Sequence, residues 1–461
     1  MGADGVIERP ARFETRLPRA KPADDGDLSW APAWRIREMV GARRLSPVEV
    51  IDHFLARIEQ LNPQLHPFRQ VDADGARAQA RRAEAAVMAG EALGPLHGVP
   101  LGLKEFLPIK DMSWRDLASR THRTAPWDAI ETERVRAAGA VVVGPTVAGA
   151  VAQEFGESDL MPLNPWDTAR VCGDSSSGSA CAAASAMTPL NIAADGLGST
   201  RLPAAFCGLV GLHATRGLVP SFEWERLFTR PITTSGPLAR DVRDAATVLS
   251  VLAGPDGREL MGLPDQPDDY LGRLEDGARG MRLVWTDDFG YARRFAVAET
   301  ERVIETVRTA ALRLQAAGAV VEATDAAFEN PGRAAQAFLM ADPTLFPDAK
   351  IEPEKATQAR EARGRIAGAL RRALDGADFI ITPTVLCVAP TRAAWADPDG
   401  SPAASGLYTA MTGVANLLGW PAISVPAGLV DGLPVGLQIL GRPKSEARML
   451  QLAQAFLAAQ E

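Results

Sequence analysis

The side chains best suited to chemistry crowd one stretch. Between Gly173 and Gly217, in GDSSSGSACAAASAMTPLNIAADGLGSTRLPAAFCGLVGLHATRG, six serines stand among glycines and alanines. Small residues let backbone N–H groups approach a ligand closely. The run Ser179 to Met187 holds no Gly or Pro and is a predicted helix. Its N-terminus, with free N–H groups and partial positive charge, would stand behind the serine loop. A phosphate loop requires a lysine that is absent between Gly173 and Gly217. Two readings remain: small residues that let a helix and a sheet pack closely, or a nucleophile loop with its own oxyanion donors. Composition alone does not choose between them. Upstream, GPLHGVPLGLKEF (94–106) drives an apolar strand into a lysine, Lys104. That lysine either reaches from a strand end to solvent or is a desolvated amine able to act as a base.

GDSSSGSA followed by ADGLGSTRLPAAFCGLVGLHATRG resembles the amidase signature family, whose usual pattern is G-G-S-S-G/S-G and then D-T-G-G-S-I-R-x-P-A-x-x-C-G-x-x-G-L-K-P-T. The resemblance implies amide hydrolysis by a Ser–Ser–Lys triad on an α/β core, a large mixed twisted sheet covered by helices on both faces. It places the nucleophile at Ser199, the middle serine at Ser175 (after a cis peptide bond) and the lysine at Lys104. The separations are 71 residues from Lys104 to Ser175 and 24 from Ser175 to Ser199. It also implies an oxyanion hole from the N–H groups of Gly196, Leu197 and Gly198, and no metal or cofactor. Glu105, where the family has Asp, is expected to orient the site. Two residues depart from the pattern: Asp174 and Leu197 replace glycines, and leucine resists positive φ. For Arg201 a structural ion pair and a grip on a substrate carboxylate weigh about equally; the second is carried forward as the substrate-binding candidate.

Other elements must position these groups. Ser46-Pro47-Val48-Glu49 is a helix start with a capping box, followed by an apolar stripe of Val50, Ile51, Phe54, Leu55 and Ile58. Helices are also expected over Ala76–Met88, Asp128–Ala138, Glu299–Ala316 and Glu446–Ala459, and strands over Ala140–Val143, Met281–Trp285, Ala319–Glu322 and Phe379–Thr384. A closing hairpin spans Leu417–Gly441 with its turn at Asp431-Gly432. Trp166 is expected to pack structurally. Residues 1–27 form a polar arm, extended or partly disordered; 28–461 form one domain, in which 325–375 match the family poorly.

Net charge is −8, from 49 basic and 57 acidic residues, which disfavours a nucleic-acid partner. Cys172, Cys181, Cys207 and Cys387 sit among small or apolar neighbours and are expected to be reduced, buried thiols of a cytoplasmic protein. The five histidines have no metal-ligand spacing. No apolar run of membrane-spanning length or signal-like start is present. The expectation is a cytoplasmic hydrolase of a small, carboxyl-bearing or neutral amide, with a homodimer left open. The rival readings are one component of a glutamine-dependent amidotransferase, working with partner subunits, and an inactive binding protein of the same fold.

Overall fold

A computed structural model of the chain describes residues 11–19, 26–116, 121–149, 157–221, 232–259, 261–324, 326–340, 350–396 and 406–461. Its strands are β1 (Pro100–Lys104), β2 (Ser113–Asp116), β3 (Thr121–Thr124), β4 (Val141–Thr146), β5 (Leu190–Asp195), β6 (Val210–His213), β7 (Thr234–Ala239), β8 (Arg282–Trp285), β9 (Val320–Ala323), β10 (Phe379–Pro383), β11 (Ala422–Val430) and β12 (Leu433–Gly441). Apart from the separate β2–β3 hairpin, they form a mixed ten-stranded sheet in the order β4-β1-β5-β7-β6-β11-β12-β10-β8-β9. β1 runs parallel to both β4 and β5, whereas β7, β6, β11 and β12 are linked by antiparallel pairings. β1, β4, β5 and β12 are buried at every residue, so helices cover both of their faces.

Local sequence explains much of this. Ser46 caps the helix Pro47–Leu65 with both halves of the capping box present, and all five residues of the expected stripe are buried. Asp431 and Gly432 take φ of 53° and 75°, the pair of positive values a two-residue hairpin turn requires. The helix Ser177–Ala184 starts two residues before its expected position and is wholly buried. A Cβ on Gly178 would lie 2.5 Å from Pro67 O, so this glycine lets the helix press against the neighbouring chain. Close packing therefore accounts for part of the small-residue run. β4 continues beyond its expected end through Gly144-Pro145, which an edge strand tolerates because the missing N–H breaks no ladder.

The described part of the N-terminal arm, 11–19, has no regular structure but is docked: Phe13 N–H donates to Pro165 O at 2.9 Å and Thr168 N–H to Ala11 O at 3.0 Å. Trp166 does pack structurally, donating Nε1–H to Cys207 O at 3.0 Å. All four cysteines are free and buried. Among the described residues no helix is long and apolar enough to cross a membrane.

Candidate active site

Parallel pairing brings the carboxyl ends of β1 and β5 side by side, with Leu103 opposite Ile192. Ligands of open α/β sheets gather at such strand ends. Lys104 ends β1 and is 1% exposed; Asp195 ends β5 and is fully buried. Lys104 Nζ donates to Ser175 Oγ at 2.6 Å and to Ala194 O, on β5, at 3.0 Å. Its cation also lies 4.8 Å from the Phe106 ring centroid. The lysine thus turns inward to the serine loop, not outward to solvent.

Ser175 has φ of +39°, and Ser176 N–H donates back to Asp174 O at 2.8 Å. This γ-turn with a positive central φ is a strained conformation of the kind functional sites retain. The cis bond expected before Ser175 is not present; that bond is trans, and the turn is made at φ instead. Ser176 Oγ bonds Ala194 O at 3.1 Å and Gly178 N–H bonds Val147 O at 3.0 Å, which tie the loop to the strand ends.

Ser199 lies in the turn between β5 and the helix Arg201–Cys207 and is partly exposed. Among the described residues no hydrogen bond joins its hydroxyl to Ser175. The Asp195 carboxylate organises this turn from inside. Its Oδ1 accepts Gly198 N–H at 2.6 Å, and its Oδ2 accepts Thr200 N–H at 3.3 Å and Arg201 N–H at 3.4 Å. The oxyanion-hole assignment is therefore corrected for Gly198, whose proton is already spent on a carboxylate. The N–H groups of Gly196 and Leu197 make no hydrogen bond among the described residues. Positive φ falls on Gly198, at 110°, and not on Leu197, so leucine is accommodated without backbone strain. A Cβ on Gly198 would lie 2.2 Å from Thr412 Oγ1, which explains glycine there. Leu197 O accepts Thr412 Oγ1–H at 2.9 Å, and its partly buried side chain packs on the core.

Arg201 is also corrected. It is fully buried, and all five guanidinium donors are engaged. Nε and Nη2 contact Asp195, at 2.9 and 3.2 Å; Nη1 bonds Gln438 Oε1 at 2.6 Å and Thr412 O at 3.0 Å; Nη2 also bonds Asn416 Oδ1 at 2.6 Å. No donor remains for a substrate carboxylate, so the structural ion pair is the answer. Burial works against the charge on Asp195, but Arg201 overcomes it and, with Asn416, holds the carboxyl well below the usual carboxylate range. Thr412, Asn416 and Gln438 went unnoticed in the sequence, being more than 200 residues from Arg201.

Glu105, next to Lys104 on the chain, is also fully buried. Arg69 Nε donates to it at 3.0 Å, Ala148 N–H at 2.7 Å, and His122 Nε2 lies 3.1 Å away. Arg69 and Arg115 bridge onward to Glu157. Burial opposes the charge on Glu105, yet His122, the two arginines and the Ala148 N–H keep its pKa below normal. This network fixes the end of β1 and anchors the β2–β3 hairpin beside it.

The family model described as Amidase matches residues 49–344 and 347–450. That match runs through most of 325–375, where poor agreement was expected. A glutamyl-tRNA(Gln) amidotransferase subunit from Symbiobacterium thermophilum is 33% identical over 473 aligned residues, covering 92% of this chain and 96% of the relative. Among solved structures, the peptide amidase of Stenotrophomonas maltophilia aligns with a TM-score of 0.77 at 27% identity over 94% of this chain and 97% of its own. A bacterial aryl acylamidase of the amidase signature family aligns with a TM-score of 0.80 at 24% identity, covering 93% and 96%. The serine motifs, the mixed sheet and these matches agree, and the chain belongs to the amidase signature family.

Proposed function

We propose that this protein hydrolyses the carbon–nitrogen bond of a small amide through Ser199, Ser175 and Lys104. The observation that carries the reading is the 2.6 Å contact between buried Lys104 Nζ and Ser175 Oγ, at the strand end beside the turn that presents Ser199. With the amine neutral, Ser175 passes its proton to Nζ and takes one from Ser199 Oγ as that oxygen attacks the carbonyl carbon. The N–H groups of Gly196 and Leu197, and that of Ser199 itself, are the donors for the tetrahedral oxyanion. Collapse breaks the C–N bond, and the leaving amine takes its proton back through Ser175. Water, deprotonated along the same chain, then releases the acid from Ser199. These steps call on no group beyond the protein and water. With Arg201 saturated, a carboxyl-bearing substrate loses its support, and a neutral amide is the better expectation.

The relatives named as glutamyl-tRNA(Gln) amidotransferase subunits favour a second reading, release of ammonia from glutamine within a larger assembly. Purified protein should be offered glutamine and a panel of aryl, peptide and aliphatic amides, with release of ammonia or amine followed. Hydrolysis of panel amides by the chain alone supports the first reading, and turnover of glutamine with partner subunits the second. Ser199→Ala should fold normally and lose activity by several orders of magnitude. An acyl adduct trapped on any other residue would sink the assignment.

A further inference from the structure

Phe106 follows Lys104 by two residues, where the chain leaves β1. Leu107 N–H donates to Lys104 O at 2.8 Å, closing a turn with Glu105 and Phe106 at its centre. The turn sends these two side chains to different places. Glu105 goes to Arg69, Arg115, His122 and Ala148 N–H. The Phe106 ring comes against Lys104, with Nζ over it at 4.8 Å from the centroid. The same Nζ meets Ser175 Oγ at 2.6 Å. Trp114 Nε1–H donates to Phe106 O at 3.3 Å, so β2 pins the backbone that carries the ring. Both partners of the contact are buried, which spares it from screening by water. The face of a phenyl ring is negative and favours a cation over a neutral amine. The charged groups on the surrounding elements have partners of their own. Asp195, on β5, is held by Arg201 and Asn416, and His213, on β6, faces Trp420 O. Glu131, on the helix Ile130–Ala137, accepts Ser235 Oγ–H from β7 at 2.7 Å. Burial raises the pKa of Asp174, in the serine loop, against the opposing charge of Lys104. An exchange of the ring leaves all of these in place.

We propose that Phe106 is a positioning residue that acts through Lys104: its ring face favours the ammonium form by a cation–π contact and so sets the pH at which Ser175 and Ser199 become activated. The proposal rests on the triad reading above. Replacing the ring by an aliphatic side chain keeps the surroundings apolar but removes the negative face. The neutral amine then forms more readily, and activation should begin at lower pH, by about one pH unit.

A fluorophosphonate probe tests this without knowledge of the amide. It forms an oxygen–phosphorus bond to Ser199, the phosphorus–fluorine bond breaks, fluoride leaves, and the serine proton passes through Ser175 to Lys104. Labelling rates would be followed by intact mass from about pH 5 to 10 for wild type, Phe106→Leu, Phe106→Tyr and Lys104→Ala, with folding checked by melting. A fourth variant carries 3,4,5-trifluorophenylalanine at position 106, which keeps the ring's shape but drains its negative face. The expected result is that the leucine and trifluoro variants shift the midpoint of the pH limb toward acid, while Phe106→Tyr keeps the wild-type midpoint. The trifluoro variant decides the matter should leucine fold poorly or disturb the packing. A trifluoro midpoint that is unmoved or moves toward alkali, or a tyrosine midpoint that moves as far as that of leucine, overturns the role of Phe106; with Lys104→Ala inert, the triad still stands. Wild-type labelling of Lys104→Ala, or no adduct on Ser199 in the native protein, overturns the triad itself and the inference with it.

Discussion

A guanidinium has five donors, and the functional reading of Arg201 turned on how many were left over. None is, since two contact Asp195 and the rest are shared among Thr412 O, Gln438 and Asn416. Arg201→Lys would keep the charge but lose the planar fork. Asp195 would then lie buried with too few partners, and a broken buried pair costs about 3–5 kcal/mol. The expected outcome is a lower denaturant midpoint together with an equal fall in kcat/KM for acidic and neutral amides, because the turn carrying Ser199 loosens for every substrate. A KM rise confined to acidic amides would restore the carboxylate-gripping role. Gly198 makes the same point on a smaller scale. It stands in the motif position of an oxyanion donor, yet its N–H points into Asp195 at 2.6 Å.

At the scale of elements, the end of β1 is held from two sides. Lys104 is drawn to the serine loop and Glu105 to the β2–β3 hairpin through Arg69, Arg115, His122 and Glu157. Glu105→Gln would remove the charge that two arginines face, and Glu157, which is 29% exposed at its side chain, compensates in part. A stability loss of about 3 kcal/mol is expected, measured by chemical denaturation. Unchanged stability would mean that Glu157 alone satisfies both arginines. The helices and strands themselves were largely legible in advance. Pro47–Leu65 carries its cap and apolar stripe within one segment, and β11 and β12 announce their turn with Asp-Gly. Less visible was the helix Pro353–Ala373, whose sequence is rich in charge and alanine and buries only Ala359, Ala362, Ile366 and Leu370 of its length.

Across the whole molecule, acid stability depends on groups folded in their neutral form. His213 ends β6, fully buried, with Nδ1 at 3.1 Å from Trp420 O. Burial lowers its pKa from the ordinary 6.5 to about 4. Between those values the unfolded chain binds a proton that the folded chain refuses, so stability falls as pH drops from about 6.5 to 4, by up to about 3 kcal/mol. Asp241 acts in the opposite sense: burial raises its pKa to about 6, so its contribution is lost as pH rises. Comparing wild type with His213→Gln isolates the histidine. Urea midpoints at pH 7, 5.5 and 4 should fall less steeply in the variant, and parallel curves would refute the assignment.

The resemblance to the amidase signature motif singled out Lys104, Ser175 and Ser199 as candidates, and local patterning located the capped helix and the closing hairpin, because each of these signals lies within one segment. The role of Arg201, the engagement of Gly198 N–H and the network around Glu105 were decided only by the tertiary structure. The insertion of β7 between β5 and β6 belongs with them, since sequential strands need not be neighbours in a sheet. The physical reason is common to all of them. A buried donor or charge must be satisfied, and its partners here come from distant parts of the chain: Asn416 for Arg201, Glu157 and His122 for the arginines about Glu105. A motif can place a donor at a position. Whether that donor remains free for a substrate depends on what the rest of the fold brings against it.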